Sequence, residues 1–369
     1  MYLYPIIKPK TRRDVILYYA IKDGYIVKRR SKKQTKVKML ARIYPDKDAD
    51  LKVLDGETIA IIGYGNQGRS QALNLRDSGL KVIVGNIRDA SFDRAKADGF
   101  EVYDIREACE KATIVLLLLP DEVQPKVYEA DIKPAMKKGK TLVFAHGYNL
   151  HYGFLKPDAD VDVLLLAPRM VGKFVRELYE KGTGAPVFFC VHQDASGKAM
   201  SKVLALAKGI GATRVGAMEV NVADETELDH FSEHWIAPMI SRVLLLGYEV
   251  LTEMGYDPDA VLMETYMSGE LGEVCSSLAK DGLVVQLPFH SRTSQFGQLL
   301  YADRVLPDEA KDLIREIVME IKNGTFAKEW QLEQILGYPV FNKLMDMAKS
   351  HPINEAERKL KERVKIVID

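Results

Sequence analysis

The segment "ETIAIIGYGNQGRSQALNLRDSG", residues 57–79, constrains this chain more than any other. Its first part is a short, nearly all-apolar run of the kind that parallel sheets bury on both faces. Gly63, Gly65 and Gly68 follow in the spacing G-x-G-x-x-G, and helically spaced residues then lead to Gly79. Strand, tight turn, helix and stop are expected in that order. The glycine spacing alone is a weak signal. At the junction of a buried strand and a helix, however, it lets backbone approach a pyrophosphate at a helix N-terminus. Dinucleotide binding is the expectation, with a purely structural glycine turn as the alternative.

The same pattern recurs downstream. Buried strands are expected at "LKVIVGN", "TIVLLLLP", "TLVFAHG", "VDVLLLAP" and "APVFFCVHQD", with a short helix at "SFDRAKADG". Such alternation implies an α/β unit built on a parallel sheet covered on both faces. Beyond about residue 220 the spacing turns helical almost throughout, implying an all-α half. The expected division is a basic extension at 1–42, a Rossmann NAD(P)-binding domain at 43–221 and a helical domain at 222–369.

A chain of 369 residues can bury two such cores. Its 52 basic and 52 acidic side chains cancel, so overall charge gives no ground for a nucleic-acid or anionic-membrane partner. Residues 8–43 are nevertheless basic ("KPKTRRD", "KRRSKK", "KVKMLAR"), either a solvated extension or a surface for a partner. Cys109, Cys190 and Cys275 show no CxxC spacing and read as small core residues in a reducing cytoplasm. The start resembles no signal peptide and no apolar run approaches a membrane span, so a cytoplasmic protein without membrane contact is expected.

Two places bear on ligands. After the second strand come Asn86, Arg88, Asp89 and Ser91. Arg88 and Ser91 suit the 2′-phosphate of NADP(H), whereas Asp89 between them would repel it, so NADP(H) is favoured and NAD(H) stays open. In "ETELDHFSEHW", residues 225–235, Asp229 and Glu233 lie four apart on one helix face, and His230 and His234 on a face rotated by about 100°. Either pair could chelate a metal, the carboxylates suiting Mg²⁺ and the imidazoles Zn²⁺.

Several longer segments, "YPDKDADLKVLDGETIAIIGYGNQG", "LLPDEVQPKVYEADIKP", "LVFAHGYNLHYG", "DVDVLLLAP", "VHQDASGKA", "AKGIGATR" and "NGTFAKEW" with "PVFN", together resemble ketol-acid reductoisomerase. The likeness runs in order from about residue 43 to about 365 and has the length of the short form of that family. It implies a Rossmann domain, a knotted helical domain that pairs with a second subunit in a homodimer or higher homo-oligomer, and a place in valine and isoleucine synthesis. The implied reaction converts 2-acetolactate or 2-aceto-2-hydroxybutyrate to a 2,3-dihydroxy-3-alkyl acid, by alkyl migration assisted by two Mg²⁺ ions and reduction by NAD(P)H. The resemblance places the cofactor along Gly63, Tyr64, Gly65, Asn66, Gln67 and Gly68 and along Asp121, Glu122, Val123 and Gln124, with Arg88, Ser91 and Gly172 beside it. It makes His146 the active-site histidine, with a hydrogen-bonded structural histidine as the alternative. Asp229 and Glu233 become the first two metal ligands, and Ser291 the contact for the substrate carboxylate.

Four departures from the family pattern matter. Arg169, which the resemblance makes a catalytic residue beside His146, stands where a lysine near the metals and substrate is usual, and Val171 where proline is; a guanidinium keeps the charge without being a compact titratable donor. The second metal helix usually carries two glutamates four apart, but here Glu264 is followed by Ser268 and then by Glu270. Glu264 and Glu270 share a face only if residues around Ser268 and Gly269 bulge the helix. His234 and Trp235 are bulkier than the usual residues, and Arg292 and Gln295 replace acids near Ser291. Three functions therefore stay open: the full reductoisomerase; a diverged NAD(P)H-dependent 2-keto acid reductase with altered or lost isomerisation; and a non-catalytic binding protein.

Overall fold

The computed structural model describes residues 41–365. The expected basic extension lies outside the described residues, save its last two positions. Nine strands form one sheet: β1 (Ile43–Tyr44), β2 (Thr58–Ile62), β3 (Lys81–Gly85), β4 (Glu101–Tyr103), β5 (Ile114–Leu117), β6 (Thr141–Phe144), β7 (Asp162–Pro168), β8 (Val187–Gln193) and β9 (Ala217–Glu219). Their order is β1-β9-β8-β7-β6-β5-β2-β3-β4.

Both faces of the sheet are buried, as the unbroken apolar runs require. Ile59, Ile61, Ile114, Leu116 and Leu164 enter one core, while their neighbours Ala60, Ile62, Val115, Leu117 and Leu165 enter the other. Beneath the sheet end, fully buried Asp162 accepts from Lys202 Nζ at 2.8 Å and from the Ser196 hydroxyl at 2.7 Å.

The sheet is not wholly parallel. β2 through β7 pair in parallel around the centre, but β8 runs antiparallel to β7 and β1 antiparallel to β9. The reason lies in the connection from β7 to β8. Its helix, Gly172–Glu180, packs against the glycine-turn helix Asn66–Asp77 instead of crossing back over the sheet. The chain therefore re-enters at the end where it left, which forces an antiparallel strand.

From Val222 onward the described chain is helical. Two helices of this half contain π-turns, at Ser232–Ile236 and Met263–Met267. Such turns widen a helix by one residue and recur at functional sites. Burial here is sparse: the helical core holds Tyr248, Val261, Leu262, Met267 and Leu360, while Ile236, Ile240, Val243, Leu246 and Val250 form an exposed stripe at three- and four-residue spacing. The continuous helix Val222–Glu253 is long and apolar enough to cross a membrane by length and composition, which the sequence reading did not anticipate. Cys109 and Cys190 are buried as expected, but Cys275 is exposed, because its helix, Glu270–Asp281, buries none of its residues.

Candidate active site

The glycine turn is built from three unlike positions. Gly63 has φ +93° and leaves no room for a side chain, since a Cβ would lie 2.8 Å from the Leu118 carbonyl oxygen. At Gly68 a Cβ would lie 1.9 Å from the Gly63 carbonyl oxygen, so this glycine lets the helix sit on the strand. Gly65 meets nothing within 4 Å and faces open space at the start of the helix, the position from which backbone can approach a phosphate. Tyr64 contributes backbone only: its ring is buried and its hydroxyl donates to Asp98 at 2.9 Å, while Asn86 Oδ1 holds its amide at 3.1 Å. Gln67 is tied to the Met170 carbonyl at 2.8 Å, and Gly172 packs on the turn, where a Cβ would lie 2.2 Å from the Asn66 carbonyl oxygen.

Beyond β3, Asp89 caps the next helix. Its Oδ1 accepts from the amides of Ser91 and Phe92 at 2.9 and 3.1 Å and from Asn86 Nδ2 at 2.9 Å. The carboxylate that would repel a 2′-phosphate is thus engaged at a helix N-terminus, while Arg88 is exposed, 3.4 Å from Asp104. A cleft of about 710 Å³ opens between the helices Asn66–Asp77 and Gly172–Glu180, lined by Gly65, Asn66, Arg69, Ser70, Arg94, Lys173 and Arg176 together with Glu177 and Glu180. These four cations escaped the sequence reading because they come from three helices that are distant in the chain.

At the C-terminal ends of β5 and β6 a second pocket, about 190 Å³, is lined by Asp121, Glu122, His146, Tyr148, Asp229, His230, Glu233, Phe326 and Trp330. His146 follows β6 directly, and its Nδ1 lies 2.6 Å from Asp121 Oδ2. Burial disfavours the imidazolium, but the hydrogen bond to Asp121 and the charges of Asp121, Glu225 and Glu233 outweigh it and raise the His146 pKa. Gln124 is a buried tie, donating to the Leu119 carbonyl at 2.8 Å and accepting from Asn149 at 3.0 Å. Val123 is exposed.

Glu225 completes this cluster and was not singled out from the sequence. It is fully buried, accepts from the Gly147 amide at 2.8 Å and from Arg169 Nη1 at 2.9 Å. A signal was present, because Glu225, Asp229 and Glu233 follow one another at intervals of four. Arg169 also pairs with Asp229 through its other terminal nitrogen, and its guanidinium lies 5.0 Å from the Phe188 ring centre. The free Nε2 of His146 faces Asp229 Oδ2 at 3.4 Å. Ligand atoms of His146, Glu225 and Asp229 lie within 4.8 Å of one another. This oxygen-rich donor set fits a hard divalent cation.

The two histidines of "LDHFSEH" behave as packing groups. His230 stacks on His234 at 5.2 Å and meets Phe326 and Tyr148 edge-on, and burial, aided by neighbouring histidines, pushes its pKa down to about 3. Glu264, Glu270 and Ser291 are exposed and do not line the pocket of Asp229. The break between Glu264 and Glu270 is sharper than a bulge: a π-turn ends at Met267, Gly269 takes φ +88°, and a new helix starts at Glu270.

The family model described as acetohydroxy acid isomeroreductase, NADPH-binding domain, matches residues 53–216, and that described as ketol-acid reductoisomerase, C-terminal domain, matches 222–366. The chain belongs to the ketol-acid reductoisomerase family. It is an NAD(P)-dependent oxidoreductase of that type. Among similar proteins, ketol-acid reductoisomerase (NADP(+)) of Pyrobaculum aerophilum is 44% identical over 324 residues, spanning 87% of this chain and 98% of the relative. The namesake from Pyrobaculum neutrophilum is 43% identical over 318 residues, spanning 86% and 97%. A solved NADH-preferring ketol-acid reductoisomerase from an uncultured archean superposes with TM-score 0.84 at 34% identity, covering 87% of this chain and 98% of its own. Within this reductoisomerase frame, Arg169 between Glu225 and Asp229 is the feature that the sequence departures foreshadowed without locating.

Proposed function

We propose that the protein converts 2-acetolactate or 2-aceto-2-hydroxybutyrate to the corresponding 2,3-dihydroxy-3-alkyl acid, in branched-chain amino-acid synthesis in the cytoplasm, using NADPH and Mg²⁺. The observation that carries this reading is the convergence of His146, Asp121, Glu225 and Asp229 at the strand ends beside the glycine turn, where open α/β sheets bind their ligands. Bound Mg²⁺ supplies polarisation of the substrate's hydroxyl and keto oxygens, and bound NADPH supplies the hydride.

The residues supply the rest. Asp229 and Glu233, with Glu225 behind them, hold the cation. Asp121 orients His146 through Nδ1 and leaves Nε2 to exchange a proton with substrate oxygen. Phe326 and Trp330 wall the pocket and limit water. Gly65 and Asn66, on the turn shaped by Gly63 and Gly68, carry the pyrophosphate, and Arg88 and Ser91 the 2′-phosphate of NADPH, favoured over NADH because Asp89 is spent as a helix cap.

A second copy of the chain supplies Glu264, Glu270 and Ser291, which are exposed in a single copy beside an exposed apolar stripe. The division into a nucleotide-binding unit at 43–221 and a helical unit at 222–369 follows the same reading. NAD(P)H oxidation with 2-acetolactate and Mg²⁺, run beside 3-hydroxy-3-methyl-2-oxobutyrate, tests it. Turnover of both is expected. Turnover of the second alone would establish instead a reductase that has lost isomerisation, the reading that the broken helix at Gly269 favours.

A further inference from the structure

We infer that Arg169 is an internal cation that competes with the divalent metal for Glu225 and Asp229, so that metal loading requires its guanidinium to leave Asp229. This rests on the proposed metal site at Asp229. Arg169 reaches both carboxylates at once, Nη1 to Glu225 at 2.9 Å and Nη2 to Asp229. Those two residues, with His146, are the groups whose ligand atoms gather within 4.8 Å. One cluster thus has two candidate cations, one of them covalently part of the chain.

The rest of the surroundings fix Arg169 there. Its amide donates to the Pro186 carbonyl at 2.8 Å, which pins the backbone at the start of the β7–β8 connection. The guanidinium packs 5.0 Å from the Phe188 ring centre, and its side chain is 24% exposed, so the fork is held by the ring and by its two carboxylates without being sealed from solvent. A planar fork can bridge two carboxylates in fixed geometry, whereas an ammonium on a flexible stem is a single point of charge. An Asp229 carboxylate already paired is a poorer ligand, since a cation entering must replace a charge-assisted hydrogen bond. Arg169 is therefore a positioning residue that sets the metal affinity of the site and neutralises its carboxylates when metal is scarce.

The test is Mn²⁺ binding to the full chain in its own assembly, read from the spectroscopic signal of free Mn²⁺, in the wild type and in R169K, R169M and D229N. R169K keeps the charge but cannot span both carboxylates, and it should bind Mn²⁺ about tenfold more tightly, equivalent to about 1.4 kcal/mol. R169M should gain at least as much. If R169M gains and R169K does not, the effect is general charge repulsion and displacement is overturned. No gain, or a loss, in both variants overturns it as well. D229N should lose binding; wild-type affinity in D229N would show that the metal lies elsewhere and remove the site reading itself, separately from the role of Arg169. An NADPH titration of each variant confirms that the nucleotide half is folded.

Discussion

A methyl group on Gly65 would meet no atom within 4 Å, whereas on Gly68 it would lie 1.9 Å from the Gly63 carbonyl oxygen. The two substitutions should separate binding from folding. Gly65→Ala is expected to leave stability nearly unchanged, within about 0.5 kcal/mol, while weakening NADPH binding at least tenfold. Gly68→Ala should cost about 1–3 kcal/mol of stability through overpacking, visible in thermal melts without ligand. At the second pocket, His146→Asn should lower kcat by about 100-fold or more with a smaller effect on NADPH affinity, because it removes the proton-exchanging nitrogen and leaves the glycine turn intact. A loss confined to KM would argue against that role. Glu225 shows how much a residue-level reading can miss. Its spacing puts it in line with Asp229 and Glu233, but its burial and its contacts with Gly147 and Arg169 are what separate it from the other acids of that helix.

Local chemistry made the elements around the glycine turn readable. Apolar runs of strand length and glycines where φ is positive act within a few residues, so β2, β3 and the helix between them follow from the sequence alone, whereas the capping role of Asp89 showed only in the structure. The direction of β8 did not, because it depends on where the helix Gly172–Glu180 finds a packing partner, a contact made about a hundred residues back along the chain. The π-turns were equally hidden: four-residue spacing of Asp229 and Glu233 is compatible with either winding. The Asp162–Lys202 pair belongs to this scale, since it ties β7 to the helix Ala199–Gly209 beneath it. Burial raises the Asp162 pKa, but the hydrogen bonds from Lys202 and Ser196 prevail and lower it below the ordinary 3.8. Its folded pKa is thus depressed, so its contribution is fully present above the unfolded value and is lost as pH falls below about 3.8 toward the folded value. Lys202→Met should cost about 3–5 kcal/mol at neutral pH by leaving a buried carboxylate unpaired. Urea midpoints at pH 6 and pH 3 should show that the wild type loses more on acidification than the variant does.

Across the whole molecule, burial is divided unequally. The sheet has a core on each face, while the helical half buries a small cluster and leaves Ile236, Ile240, Val243, Leu246 and Val250 in the open. An exposed stripe of this kind fits the proposed pairing with a second copy, which would also bring Glu264, Glu270 and Ser291 toward a pocket. Val243→Glu is expected to shift the protein to a smaller species in sedimentation and to depress turnover while NADPH binding persists. An unchanged sedimentation coefficient would place that face outside the interface. The small core around Tyr248, Leu262 and Leu360 has a further consequence. If association supplies most of what holds those helices, dilution alone should loosen them, by mass action, before it touches the sheet. Progressive dilution should then lower specific activity steeply, and heating a dilute sample should give two transitions, the earlier one moving to higher temperature as protein concentration rises.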